Sequence, residues 1–222
     1  MNDLTLIIPA KYEKESLPKV LDELKKFDVK KNIVLEKSDK LTVEAISNYD
    51  CKIIYQDSVG YGDALKKGIQ TAETEFFCIF NADGSFNPDE LNNMISKIKK
   101  DKYDFVFATR YEKNCGSDDD TIVTYVGNYI FTLLGKIFFK LGITDILYTF
   151  VMGRTSFAKK LELTAKDFSF CVELPIKAKR ANYKICTSKS YERSRIAGKK
   201  KVSAFKDGLK ILFSMIKLFF RY

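Results

Sequence analysis

The stretch Phe76-Phe77-Cys78-Ile79-Phe80-Asn81-Ala82-Asp83-Gly84-Ser85 decides the fold. Its five leading apolar residues show no polar alternation and are too few for a helix, so they read as a strand buried on both faces, the kind a parallel sheet contains. The run ends in turn-forming residues, and Asn87-Pro88-Asp89-Glu90 then opens a helix. A carboxylate just beyond a buried strand end can hold Mg²⁺ or Mn²⁺ against a diphosphate, because these hard ions take oxygen ligands and leave positions for phosphate and water. The same residues also make an ordinary turn.

Working outward, the pattern repeats. Apolar runs at 4–8, 33–35, 52–55 and 104–108 read as further strands, and amphipathic stretches at 16–27, 42–48, 62–71 and 88–100 as helices between them. Such alternation predicts an α/β domain with an open, twisted, mostly parallel sheet whose ligands bind at the carboxyl ends of the strands. With 222 residues, the chain has room for one well-buried core. We expect a catalytic domain over 1–201 and an appended helix over 202–222.

Composition removes whole classes of chemistry. The chain has no histidine, so histidine triads, imidazole acid–base catalysis and histidine-held zinc or haem are excluded. The five cysteines are scattered and never form a Cys-x-x-Cys pair, which suits a reducing compartment. The first residues carry neither a basic cluster nor a long apolar run, so a cytoplasmic location is expected.

Net charge is +9, and all of the excess lies at one end: residues 177–222 hold 14 Lys or Arg and 2 Asp or Glu. Such asymmetry predicts a polyanionic partner. In the tail, Val202, Phe205, Leu209, Leu212, Ile216 and Phe219 follow steps of three and four, while Lys206, Lys210, Lys217 and Arg221 form a second stripe. That is a basic amphipathic helix suited to an anionic membrane surface. The apolar stripe would be wasted on nucleic acid, so none is expected as a partner. Residues 122–141 are apolar almost all round but contain Lys136 and Lys140, which favours a buried or interfacial helix over a spanning one.

Specific motifs fall in order along this frame. Ile7-Ile8-Pro9-Ala10-Lys11-Tyr12-Glu13, then Glu36 with Ser38 and Thr42, then Gly60-Tyr61-Gly62-Asp63-Ala64-Leu65, then Asn81-Ala82-Asp83 together resemble the nucleotide-sugar half of glycosyltransferase family 2. Ala108-Thr109-Arg110-Tyr111 is similar to that family's Gly-Ser-Arg-Tyr strand end, Gly127-Asn128 to the start of its following helix, and Thr144-Asp145 through Phe150 to its Asp-x-x-Ser-Gly-Phe segment. Glu173-Leu174, the run Tyr191-Glu192-Arg193-Ser194-Arg195 with Lys199 to Lys201, and Asp207-Gly208-Leu209 resemble the ending of the dolichol-phosphate mannosyltransferase-like branch.

The resemblance implies a GT-A fold and inverting transfer of a hexose from a nucleoside diphosphate sugar to a polyprenyl phosphate at the cytoplasmic membrane face, with Mg²⁺ or Mn²⁺ as cofactor. It implies Pro9, Lys11, Glu13, Glu36, Gly62, Asp63, Asn81, Ala82 and Asp83 as nucleotide-sugar residues, and Asp83 with Asn81 and Ser85 as the metal turn. Asp83, Arg110, Asp145, Arg195 and Lys201 are implied as catalytic, with Arg193, Arg195, Lys199 and Lys201 on the acceptor phosphate. The chain departs from the family pattern at Leu35, Lys40 and Asn81, where the family has Asp. A phosphate acceptor is already an anionic nucleophile, so the task is positioning and charge neutralisation. Two alternatives stand: transfer to a sugar hydroxyl of a cell-surface glycan with Asp145 as base, and a catalytically silent membrane-bound partner.

Overall fold

The computed structural model describes residues 1–198 and 201–220. Among these, seven strands form one sheet: β1 (Leu4–Pro9), β2 (Lys30–Leu35), β3 (Lys52–Tyr55), β4 (Phe76–Ile79), β5 (Phe105–Thr109), β7 (Val151–Arg154) and β8 (Ile185–Lys189), in the spatial order β3-β2-β1-β4-β7-β5-β8. All neighbours pair in parallel except β7, which runs antiparallel between β4 and β5. The short strands β6 (Gly116–Ser117) and β9 (Tyr191–Glu192) pair separately.

The helices are α1 (Leu17–Glu23), α2 (Lys40–Ala45), α3 (Tyr61–Thr71), α4 (Glu90–Lys99), α5 (Ile122–Phe139), α6 (Thr155–Lys160), α7 (Phe170–Arg180) and α8 (Ala204–Phe220). The expected alternation is thus present, with shifted ends. β2 starts at Lys30 because its first residues are polar and partly exposed, and the expected first helix changes to a 3₁₀ turn after Glu23. Asp39 rather than Thr42 opens α2: the Asp39 carboxylate accepts from the Thr42 N–H. The residues 127–128 lie inside α5, which begins at Ile122 behind a Thr121–Thr124 capping box.

Strand alternation splits the core in two. Leu6, Ile8, Ile33, Leu35, Cys78, Phe80, Val106 and Ala108 face α1 and α4 on one side. Ile7, Val34, Phe77, Ile79, Phe105 and Phe107 face α3, α6 and α7 on the other. β7 escapes a reading based on βα alternation because four residues carry little periodicity, and its place between β4 and β5 is a long-range pairing.

Both apolar helices leave much of their apolar surface exposed. α5 buries only Asn128, Gly135 and Phe139, leaving Ile122, Val126, Ile130, Leu133 and Ile137 exposed. By length and composition alone it could cross a membrane, and just 17% of its 18 residues are buried. α8 docks through Ile211, Met215 and Leu218 against α5 and α7. The expected stripe of Phe205, Leu209, Leu212, Ile216 and Phe219 lies on another face and is exposed. At 100° per residue, this outward stripe and the docking face are separate sectors of one helix, with Lys206, Lys210 and Lys217 beside the outward one.

Candidate active site

The polar turn after β4 lies at the carboxyl edge of the parallel strands. Asp83 Oδ1 accepts from the Ser85 N–H at 3.0 Å and the Ser85 hydroxyl at 2.7 Å. The Asn81 amide donates to Ser85 Oγ at 3.3 Å, so these three residues form one polar knot, with Ala82 buried beneath it. Asp83 Oδ2 points to Arg195, whose Nη1 is 3.6 Å away. Among the described residues no group of three or more Asp, Glu, His or Cys side chains could cage a metal by itself. The turn offers one carboxylate and neutral oxygens, a donor set that fits a hard cation completing its shell with diphosphate oxygens.

The chain after β9 closes onto this turn. Arg193 N–H donates to the Ser85 carbonyl at 2.9 Å and Ile196 N–H to the Asp83 carbonyl at 2.7 Å. Gly84, at φ +84°, leaves room for the Ile196 side chain. Arg195 Nη2 reaches Asp119 at 2.8 Å, and Lys201 pairs with Glu13. Burial disfavours the Arg195 charge, but the hydrogen bond it donates to Asp119 and the fields of Asp83 and Asp119 outweigh that and hold Arg195 above its ordinary value. Arg193 departs from its expected place, because its guanidinium bonds Glu23 at 2.8 Å and the Phe86 carbonyl at 2.8 Å and so pins the segment to α1. Lys199 lies outside the described residues.

On the β1–β2 side, Lys11 Nζ meets Glu36 at 2.9 Å, and Lys11, Tyr12, Glu36, Ser38 and Asp39 line a shallow depression beyond Pro9. Asp39, which sequence reasoning passed over, ties this rim together by accepting the Tyr12 N–H at 2.6 Å. Tyr12 sits at φ +56°, a conformation that non-glycine residues adopt at a cost. Glu13 is buried, and its N–H donates to Thr42 Oγ1 at 3.0 Å.

Two expected ligand residues have other partners. Gly62 faces the loop after α6, where an added Cβ would lie 2.7 Å from the carbonyl oxygens of both Ala165 and Asp167. Asp63 Oδ2 accepts the Ser58 and Asp57 N–H groups at 2.8 and 3.1 Å. Burial alone would raise the Asp63 carboxyl, but these hydrogen bonds and Lys66 hold it below its usual range. Both residues shape the entry to α3 in this arrangement.

Arg110 and Asp145 form a buried centre beside the cleft. Arg110 donates to Asp145 from Nε at 2.8 Å, from Nη2 at 3.0 Å and from its backbone N–H at 3.0 Å, while Nη1 reaches Glu192 at 2.8 Å. Asn128 also donates to Asp145, and Arg110 lies over the Tyr148 ring with its Cζ 4.4 Å from the centroid. Burial opposes the Arg110 charge, yet Asp145 and Glu192 keep its affinity for the proton well above the ordinary value. The Asp145 side chain is fully buried, so the base role expected for a hydroxyl acceptor has no line of approach here. A cavity of about 280 Å³ opens on the other side of Arg110, lined by Tyr111, Ser117, Asp120, Thr121, Ile122 and Tyr125. The acidic run 118–120, which reads as a plain surface loop, is thus the rim of the site. Its nearness to Arg195 and Arg110 is a tertiary fact with no local signal.

The fold and this cleft define a GT-A glycosyltransferase. Glucosyl-3-phosphoglycerate synthase of Mycobacterium tuberculosis, solved with Mn²⁺, uridine diphosphate and glucosyl-3-phosphoglycerate, superposes with a TM-score of 0.78 at 12% identity, over 97% of this chain and 79% of that one. Its complex with Mg²⁺ and uridine diphosphate gives a TM-score of 0.78 at 11% identity, over 97% and 78%. The family model for glycosyl transferase family 2 matches residues 5–162, and the chain belongs to that family. Uncharacterized glycosyltransferases of Mycobacterium bovis and Mycobacterium tuberculosis are 26% identical over 97 residues, a match covering 44% of this chain and 44% of theirs. The match therefore spans less than half the length of these relatives.

Proposed function

We infer that this enzyme transfers a hexose from a nucleoside diphosphate sugar, with Mg²⁺ or Mn²⁺, to a polyprenyl phosphate presented at an anionic membrane surface on the cytoplasmic side. The observation that carries the acceptor is the outward face of α5 and α8. Ile122, Val126, Ile130, Leu133 and Ile137 on one helix and Phe205, Leu209, Phe213 and Ile216 on the other are exposed, on two helices that pack against each other, with Lys206, Lys210 and Lys217 also on α8. A water-soluble acceptor needs no such surface, whereas a lipid must be met by one. The structural neighbours are glucosyl-3-phosphoglycerate synthases, one of them solved with phosphoglyceric acid, a phosphate-bearing molecule.

The donor side follows from the cleft. The depression at Lys11, Glu36 and Asp39 would take the base, and the diphosphate would lie beside the Asp83 turn within reach of Arg195. The metal, when bound, neutralises the diphosphate leaving group. Asp83 would be its carboxylate ligand, with Ser85 hydrogen-bonded to that carboxylate and Asn81 to Ser85. Arg195 and Lys201 supply positive charge where two phosphates must approach each other, Arg as a planar fork and Lys as a point charge. An acceptor phosphate needs no deprotonation, which agrees with the sealed Asp145.

The cavity beside Arg110 favours a second reading, transfer to a sugar hydroxyl. Asp120, Ser117, Thr121 and two tyrosines line it, a set that suits hydroxyls better than an anion, and Asp120 rather than Asp145 would then be the base. Transfer of labelled sugar from uridine and guanosine diphosphate sugars with Mn²⁺ separates the readings. Product on polyprenyl phosphate in anionic vesicles supports the first. Product only on oligosaccharide supports the second, and product only on phosphoglycerate overturns both.

A further inference from the structure

Arg195 joins two carboxylates that come from different loops. Its Nη1 stands 3.6 Å from Asp83 Oδ2, and its Nη2 stands 2.8 Å from Asp119 Oδ2. Asp83 Oδ1 already serves the Ser85 N–H and hydroxyl, so Oδ2 is the oxygen left for a divalent cation, and a guanidinium stands over it. Asp119 is itself held in place, since its N–H and that of Asp120 donate to Ser117 Oγ at 3.1 and 3.0 Å. The hydrogen bond from Ile196 to the Asp83 carbonyl fixes the segment carrying Arg195 on the same turn.

A divalent cation and a guanidinium compete for one carboxylate oxygen. The side chains of Arg195, Asp83 and Asp119 are 22%, 14% and 19% exposed, so water only partly screens that competition. The two contacts are unequal: the long one to Asp83 is the weaker and the one given up, while the short one to Asp119 can persist. We propose that Asp119 is a positioning residue that retains Arg195 at the rim when a divalent cation takes Asp83. Arg195 is then the counter-ion of Asp83 in the metal-free enzyme and a partner of the diphosphate in the loaded one. This inference rests on the metal-dependent nucleotide-sugar reading above.

The test is Mn²⁺ binding, followed by the electron paramagnetic resonance of free Mn²⁺ with and without uridine diphosphate, on the full chain and on Arg195→Ala, Asp119→Asn and the double variant. Melting curves verify that each is folded. Arg195→Ala should bind Mn²⁺ alone roughly three- to tenfold more tightly, because a competitor is gone, yet bind uridine diphosphate with Mn²⁺ more weakly by a similar factor. Asp119→Asn should weaken Mn²⁺ binding roughly three- to tenfold, because Arg195 has lost the seat it retreats to, and Asp119→Glu should largely restore it. In the Arg195→Ala background the Asp119→Asn effect should shrink to about twofold or less. An equal Asp119 effect in both backgrounds overturns the proposal, since Asp119 would then act through its own charge. Identical Mn²⁺ binding by all four proteins overturns it while the metal reading stands. If no protein binds Mn²⁺ even with uridine diphosphate, the metal reading fails and the proposal fails with it.

Discussion

Arg110 grips Asp145 with both its guanidinium and its own backbone N–H, through contacts of 2.8, 3.0 and 3.0 Å, and the carboxylate is wholly out of solvent. Such a pair is held together because neither charge can be left alone in the interior. Replacing Asp145 by Asn should therefore cost stability, about 1.5–3 kcal/mol because Glu192 still faces Arg110 Nη1, visible as a lower denaturation midpoint. Activity at a temperature where the variant is folded should fall far less than a lost general base requires. A stable Asp145→Asn enzyme with turnover reduced by several orders of magnitude would instead make Asp145 a chemical participant.

Asp83→Ala should abolish both transfer and metal-dependent nucleotide binding while the protein stays folded, with a modestly lower melting temperature because the Ser85 N–H and hydroxyl lose their acceptor. Calorimetric titration of uridine diphosphate with Mn²⁺ reads this directly. Asn81→Asp adds a second carboxylate beside the first and should raise Mn²⁺ affinity. Full activity in Asp83→Ala would remove the metal turn from the mechanism.

The two apolar faces of α8 should separate in experiment. Leu209→Glu with Ile216→Glu changes only the outward face, so stability should move by less than about 1 kcal/mol while binding to anionic vesicles drops. Met215→Ala empties a buried position and should cost about 2–5 kcal/mol. Flotation assays and melting curves on the same samples check both. Unchanged flotation of the double Glu variant would detach the outward face from membrane binding.

Gly60 and Gly62 should tolerate no side chain. At Gly60, φ is +137° and an added Cβ would come within 2.1 Å of the Lys166 carbonyl oxygen; both neighbours at Gly62 are backbone as well. Gly62→Ala should cost about 1–3 kcal/mol in denaturant unfolding. Loss of nucleotide binding with no loss of stability would return Gly62 to the ligand.

Burial holds the Glu90 carboxyl above its ordinary value, against the opposing hydrogen bonds from Ser190 and the Tyr191 N–H, and its Oε2 has no hydrogen-bond partner. A carboxyl raised on folding binds more protons in the native state, so its contribution to stability worsens as pH rises through the range between its unfolded and folded values. Glu90→Gln should therefore stabilise the protein at pH 7, and the gain should vanish below the unfolded value, where both side chains are neutral. Melting temperatures at pH 4 and 7 give the comparison.

Local chemistry was legible in the sequence. The buried strand at Phe76 to Phe80 and its polar turn, the alternation of strands and helices, the absence of histidine and the basic tail all follow from residue types at short spacing. Apolar runs and turn residues act on their immediate neighbours, so reading them needs no knowledge of the rest of the chain. Tertiary structure decided what those signals touch. It inserted β7 antiparallel between β4 and β5, brought Asp119 against Arg195, and assigned Gly62 to a loop a hundred residues away. It also chose Ile211, Met215 and Leu218 as the docking face of α8 and left the more regular stripe outside. A helix with two apolar sectors is ambiguous on its own, because burial is set by which neighbour offers a complementary surface. In the same way, the sequence contains Arg110 and Asp145 but not their closeness, since a pairing across 35 residues is fixed only when the segment after α5 folds back onto the end of β5 and water is excluded from the two charges.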